Sequence, residues 1–322
     1  MRSRRHHFVP RFLLGGFTDS GEPDGFLCVH DLHGRQRRWR GRPTVAHVRD
    51  YYKVDIEGHD SALAEDALAK IESFTAPIVR RIRDNDALPP REEFDLLLDF
   101  VATLAARVPK RRAVMPRFVS DVARSVLDLV TATPERYAAQ VRRLREEGKD
   151  IPEVSFEEMR DFVRKDPQLE VDPTWTVGNM FQEAQIIRRL LSWRTWSLLR
   201  AQEDAPNFIC SDNPVSILPS TPRGVGPFGS VGWGMPDTFV LVPLYRRAAL
   251  YGRLMALPPE PMEKRRIESA IPVGMRTVAA LNSATLASAE KHIYAPLSDF
   301  IWLKRDGTIG HASDLPVVAG TA

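Results

Sequence analysis

Cysteine is nearly absent: the 322-residue chain has two, Cys28 and Cys210. Two thiols so far apart make no disulfide framework, and their spacing does not suit a zinc knuckle. A reducing, cytoplasmic setting is the expectation. No apolar run approaches the ~18 residues that a membrane helix needs. Arg2, Arg4 and Arg5 are not followed by the apolar core of a signal peptide, so neither a membrane span nor secretion is expected. A strong excess of one charge is also missing; the formal net charge is +3. Internal repeats, low-complexity tracts and the His-Glu-x-x-His pattern of metallopeptidases are absent from the sequence. The glycine-rich stretch 224–234 lacks the strand–loop–helix context of a dinucleotide fingerprint.

What remains is an ordinary globular composition, 43% apolar and 27% charged, with enough chain for one large domain. Arginines 2, 4, 5, 11, 35, 37, 38, 40 and 42 crowd the N-terminal region. A basic face of this kind favours phosphate-bearing ligands, nucleic acid among them. An arginine-rich solvated surface accounts for it equally simply.

The densest chemistry lies in Arg5-His6-His7-Phe8-Val9-Pro10-Arg11-Phe12-Leu13-Leu14. Pro10 disfavours helix in the residue before it, so His6 to Val9 should be extended. Neighbouring side chains on an extended segment diverge. One imidazole is therefore expected to face a site while the other meets a carboxylate or solvent. Imidazole suits both proton transfer and metal ligation near neutral pH. The bland reading is an N-terminal arm pinned by Phe8, Phe12 and Leu13.

Along the chain, Phe26–Leu32 and Arg35–Arg40 read as a hairpin around His33-Gly34, followed by a short extended piece, Thr44–Val54. From Asp60 the apolar period becomes helical: Leu63, Ala67, Leu68, Ile71, Phe74, Ile78 and Ile82. Glu65 and Glu72 sit one heptad apart on the border of that stripe, roughly 10 Å along the axis, too far for both to grip one ion. Pro89-Pro90 opens a second helix to about Arg107. Further helices are expected over Pro116–Thr131, Pro134–Glu147 and Ser155–Lys165. Thr174–Ala201 reads as the long central helix. After Pro206 strands return: Asn207–Cys210 running into Ser211-Asp212-Asn213-Pro214, then Thr238–Leu244 and Ala248–Gly252. A last helical region spans Glu260 to about Ala289, with a break open near Pro272-Val273-Gly274, before a short strand in Lys291–Leu303. The expectation is one α+β domain over 1–322, with a helical subdomain at about 60–201. The N- and C-terminal strands should pair into one mixed or antiparallel sheet.

These landmarks resemble a bacterial family known as domain of unknown function 4238. The resemblance rests on His6-His7-Phe8-Val9-Pro10-Arg11-Phe12-Leu13-Leu14-Gly15-Gly16-Phe17 and on Phe208-Ile209-Cys210-Ser211-Asp212-Asn213-Pro214-Val215. The helix with Glu65 and Glu72, Arg107-Val108-Pro109, Val242-Pro243-Leu244 and Leu281-Asn282 support it in order. Cys210 stands where a Thr or Ser is expected. The resemblance implies no established activity.

Two functional classes fit these residues. The first is a hydrolase, in its sharpest form a metal-dependent nuclease or phosphodiesterase. In that reading His6, His7, Glu72 and Asp212 are catalytic, and His7 and Asp212 hold a divalent metal ion. Arg11, Arg107, Arg111, Asn213 and Asn282 then contact an anionic substrate or nucleic acid. The second is a binding or regulatory protein in which the same motifs form a structural polar network. The hydrolase reading places His6 or His7 within side-chain reach of Asp212.

Overall fold

Pro10 sets the first two elements. It keeps the preceding segment extended, with its own ψ at 143°, and then caps a helix. Arg5–His7 thus form strand β1 and Arg11–Gly15 the short helix α1. The computed structural model describes residues 4–34, 37–55, 58, 60–165, 171–221, 231–256 and 270–315. Strands β2 (Phe26–Asp31) and β3 (Arg37–Gly41) pair antiparallel, and β4 (His47–Arg49) returns to pair with β1. The carboxylate of Asp31 closes the end of β2 by accepting from the amides of His33 and Gly34.

The middle of the chain is helical. It comprises α2 (Leu63–Asn85), α3 (Arg91–Arg107), α4 (Pro109–Val130), α5 (Pro134–Glu146), α6 (Phe156–Arg164) and α7 (Pro173–Leu191). Several starts are written in the sequence. Pro109, Pro134 and Pro173 occupy first turns, Thr133 and Asp172 cap with their side chains, and Ser155 and Glu158 form a capping box. The core helix is α3, lodged between α2 and α7, with Phe94, Leu97, Leu98, Phe100, Val101 and Leu104 fully enclosed.

The remainder supplies β5 (Thr195–Ala201), β6 (Cys210–Ser211), β7 (Ser216–Pro219), β8 (Thr238–Tyr245), β9 (Ala248–Leu254) and β10 (Ile271–Val273). Helix α8 (Met275–Ser288) and strands β11 (His292–Ala295), β12 (Ile301–Leu303) and β13 (Ile309–His311) follow. One sheet has the order β10-β5-β9-β8-β7, with only β10–β5 parallel. A second has the order β3-β2-β11-β6, all antiparallel. The protein is α+β, as its sequence leads one to expect.

Two expectations are corrected. The N- and C-terminal strands do pair, β2 against β11, but the strands are divided among several sheets and do not all join one. Phe26–Asp31 and Cys210–Ser211 both flank β11, but the chain turns at Asn213-Pro214 and sends Ser216–Pro219 to the other sheet. The helix expected over Thr174–Ala201 ends at Leu191, and Thr195–Ala201 is a strand. Arg194 makes the join. Its buried guanidinium donates to the carbonyls of Thr238, Gly252 and Trp233, fixing the chain against β8 and β9. Trp196 then lies over Gly252, where an added Cβ would come within 2.8 Å of the indole. Much of the glycine-rich stretch and the first part of the region from Glu260 lie outside the described residues. No described helix is long and apolar enough to cross a membrane.

Candidate functional site

The β1–β4 pair brings His6 opposite Val48 and His7 opposite His47. His6 is buried, its ring stacked on Tyr52 with centroids 5.7 Å apart and planes 6° from parallel. Its two nitrogens are both engaged. Nδ1 accepts from the Tyr52 amide at 2.9 Å, and Nε2 lies 3.2 Å from Oε2 of Glu65 on α2. A nitrogen that accepts carries no proton, so in the neutral ring Nε2 bears the hydrogen and directs it at Glu65. The Tyr52 hydroxyl in turn donates to the His7 carbonyl at 3.4 Å.

Arg107, the last residue of α3, comes up beneath this segment and is 1% exposed. Its Nε donates to the Phe8 carbonyl at 2.9 Å and its Nη1 to Glu72 Oε1 at 2.8 Å. Its Nη2 is buried with no hydrogen-bond partner among the described residues. Glu65 and Glu72, one heptad apart, thus take different partners, as their separation along the helix demands. Together with Arg5, Arg11 and His7 these groups surround a pocket of about 140 Å³. It presents three guanidiniums against two carboxylates.

His7 is the other half of the pair. Burial, then the neighbouring His47 and Arg11, push its pKa down to about 4, although the carbonyls of Pro43 and Arg42 pull the other way. Its Nε2 is buried and has no hydrogen-bond partner among the described residues. At neutral pH His7 is therefore an uncharged imidazole, its ring 5.5 Å from that of His47. Burial and Arg5 lower the His47 pKa as well.

The remaining sequence candidates lie elsewhere. Asp212 is buried and grips the start of β11. Its Oδ1 accepts from the Glu290 amide at 2.9 Å, and its Oδ2 from the amides of Lys291 and His292 at 2.7 and 2.8 Å. The histidine near it is His292, with Nδ1 4.0 Å away; the pocket around His6 and His7 does not include Asp212. Asn213 donates to the Ser288 carbonyl. Asn282, fully buried, accepts from the Ile209 amide and donates to the carbonyls of Asn207 and Ile301. Arg111 pairs with Glu183 at the surface. The structure thus brings together His6, His7, Arg11, Glu72 and Arg107, and sets Arg111, Asp212, Asn213 and Asn282 apart.

Two participants carried little signal in the sequence. Tyr52 contributes a backbone amide, which any residue would supply. Glu65 was marked only by its place beside the apolar stripe of α2. For a metal ion the donor set does not fit: His6 has both nitrogens engaged, Glu72 is paired, and Asp212 is held by three amides. Among the described residues no group of three or more His, Cys, Asp or Glu side chains is arranged to hold one.

No curated protein and no solved structure matches this chain. A family model matches residues 5–298, from β1 through β11, and so covers both the histidine pocket and the Asp212 clamp. The chain belongs to the family described as "Protein of unknown function (DUF4238)".

Proposed function

We propose that the pocket around His6 and Glu65 is the active site of a phosphoester hydrolase working by general-base catalysis. One observation carries the reading. A fully buried guanidinium, Arg107, leaves one nitrogen unsatisfied on the wall of a pocket that also holds a histidine–carboxylate pair. A buried unsatisfied donor is costly and is seldom kept without a ligand to accept from it.

Arg107 and Arg11 bind the phosphoryl oxygens, supplying charge-assisted hydrogen bonds that strengthen as negative charge develops in the transition state. Glu65 takes the proton of the attacking water, whose oxygen bonds to phosphorus as the P–O ester bond breaks, and the departing oxygen takes a proton from solvent. His6 is a positioning residue: its Nε2–H holds the Glu65 carboxylate, and the Tyr52 amide fixes its tautomer. His7, uncharged, leaves neutralisation of the anion to the two arginines.

The test is hydrolysis of 4-nitrophenyl phosphate and bis(4-nitrophenyl) phosphate, with added Mg²⁺ or Mn²⁺ and with chelator. Glu65→Gln should lower kcat about 10²–10⁴-fold while the fold, followed by circular dichroism, is retained. A wild-type protein inactive on both esters in every condition, or a Glu65→Gln variant as active as wild type, overturns the proposal.

A further inference from the structure

The sheet formed by β3, β2, β11 and β6 carries a second pocket on one of its faces. Strand alternation puts Arg38 and Arg40 of β3, Val29 and Asp31 of β2, and His292 and Tyr294 of β11 on that face. The register arranges them in rows: Arg38 opposite Val29, Val29 opposite Tyr294, and Asp31 opposite His292. Phe8, just after β1, and His47 from β4 roof the space, enclosing about 330 Å³. That is more than twice the volume of the histidine pocket and falls among small-molecule sites. The two pockets meet at the His7–His47 ring pair.

The two walls differ in chemistry. On one side β3 supplies a pair of guanidiniums spaced two residues apart on a single strand face, the arrangement that takes up a phosphate through several charge-assisted bonds. Across the sheet, the His292 and Tyr294 rings stand side by side along β11, centroids 6.4 Å apart and planes 25° from parallel. Tyr294 is enclosed, while the His292 side chain is 33% exposed and presents a flat surface. Planar rings of this kind receive nucleobases regardless of sequence. Asp31 stands between the walls as an acceptor for a sugar hydroxyl or an exocyclic amino group. An inorganic oxyanion would occupy only the arginine end.

We infer that this pocket binds a nucleoside monophosphate, with the phosphate on Arg38 and Arg40 and the base against the His292–Tyr294 pair. The inference uses none of the groups assigned above to phosphoester hydrolysis, so it stands or falls separately from that proposal.

Calorimetric titration of the full chain with 5′-AMP, adenosine and inorganic phosphate tests it. The expected result is 5′-AMP binding at least tenfold more tightly than either fragment. The double variant Arg38→Ala/Arg40→Ala should weaken 5′-AMP at least tenfold and change adenosine little. His292→Ala should weaken both 5′-AMP and adenosine. Both arginines lie on an exposed edge strand, so the double variant remains decisive if His292→Ala lowers stability. Failure of 5′-AMP to bind, affinity no better than that of phosphate, or unchanged 5′-AMP affinity in the double variant each overturn it.

Discussion

Replacing Asp212 separates a catalytic carboxylate from a structural one. Its two oxygens accept three main-chain amides at 2.7–2.9 Å, which together hold the entry to β11 against the end of β6. Asp212→Ala removes all three acceptors. A net charge-assisted bond is worth about 1.5–3 kcal/mol. Glu290 and Lys291 are exposed, so water can replace part of what is lost at their amides. The expected loss is therefore about 3–4 kcal/mol, somewhat below the ~4.5 kcal/mol that three such bonds would give at the low end of that range. For a chain of this size that lowers Tm by roughly 5–10 °C. Asp212→Asn keeps an oxygen for the two amides of Lys291 and His292 but turns an NH₂ group toward Glu290, and should lose about 1–2 kcal/mol. Urea denaturation followed by circular dichroism gives the order: wild type, then Asn, then Ala. Phosphoester hydrolysis, measured well below the variants' transitions, should persist in Asp212→Asn. An Asp212→Ala protein within about 0.5 kcal/mol of wild type, outside the range of a broken buried network, would refute this account.

Two further outcomes follow from the core. Burial lowers His7 and His30 from the ordinary 6.5 to about 4, with Arg37 adding to the effect at His30. Between those values the unfolded chain binds protons that the folded chain refuses, so stability falls as pH drops from 6.5 to 4. A shift of that size corresponds to at most about 3 kcal/mol per group, and partial hydration of His7 brings its share to about 1–2 kcal/mol. His7→Gln and His30→Gln should each flatten the pH dependence of Tm across that window; an unchanged slope in both would contradict the assignment. Gly252→Ala pushes a methyl to 2.8 Å from the Trp196 ring, so it should cost about 1–3 kcal/mol and perturb tryptophan fluorescence, whereas a variant as stable as wild type would show that the β5–β9 pairing has room to spare.

The legible parts of the sequence were those where one period dominates. Leu63 to Ile82 can bury one stripe only as a helix, and α2 does so. Phe26–Asp31 and Arg37–Gly41 flank a turn chemistry that admits little else. Thr195–Ala201 was not legible. Trp196, Leu198 and Leu199 are buried on both sides of a sheet, and an apolar run of that length satisfies a core helix and a central strand alike. At the candidate site, the divergence of His6 and His7 followed from Pro10, while a carboxylate and solvent were equally open as the partner of one imidazole. The identity of that carboxylate did not follow. Asp212 sits at a strand end, a place where sites are often built, but its hydrogen bonds are to amides that leave no trace in a sequence. Arg107 read as one of several basic residues at a helix junction; its burial depends on how α3 meets the Phe8 carbonyl, a tertiary fact.

The four-stranded sheet has a temporal consequence. Its β2 strand forms from residues 26–31, yet its neighbour β11 comes from residues 292–295, with helices α2 to α8 between them in sequence. Pairing over so long a loop is slow, and it cannot begin on the ribosome until the later strand has emerged. Until then β2 has β3 on one side and an open edge on the other, beside the alternating Leu27 and Val29. The helical layer, rich in local contacts, can assemble first and wait. The pocket between Arg38 and His292 is thus among the last parts of the molecule to exist. A nascent chain halted before residue 292 would present a sticky strand edge where the finished protein has a binding site.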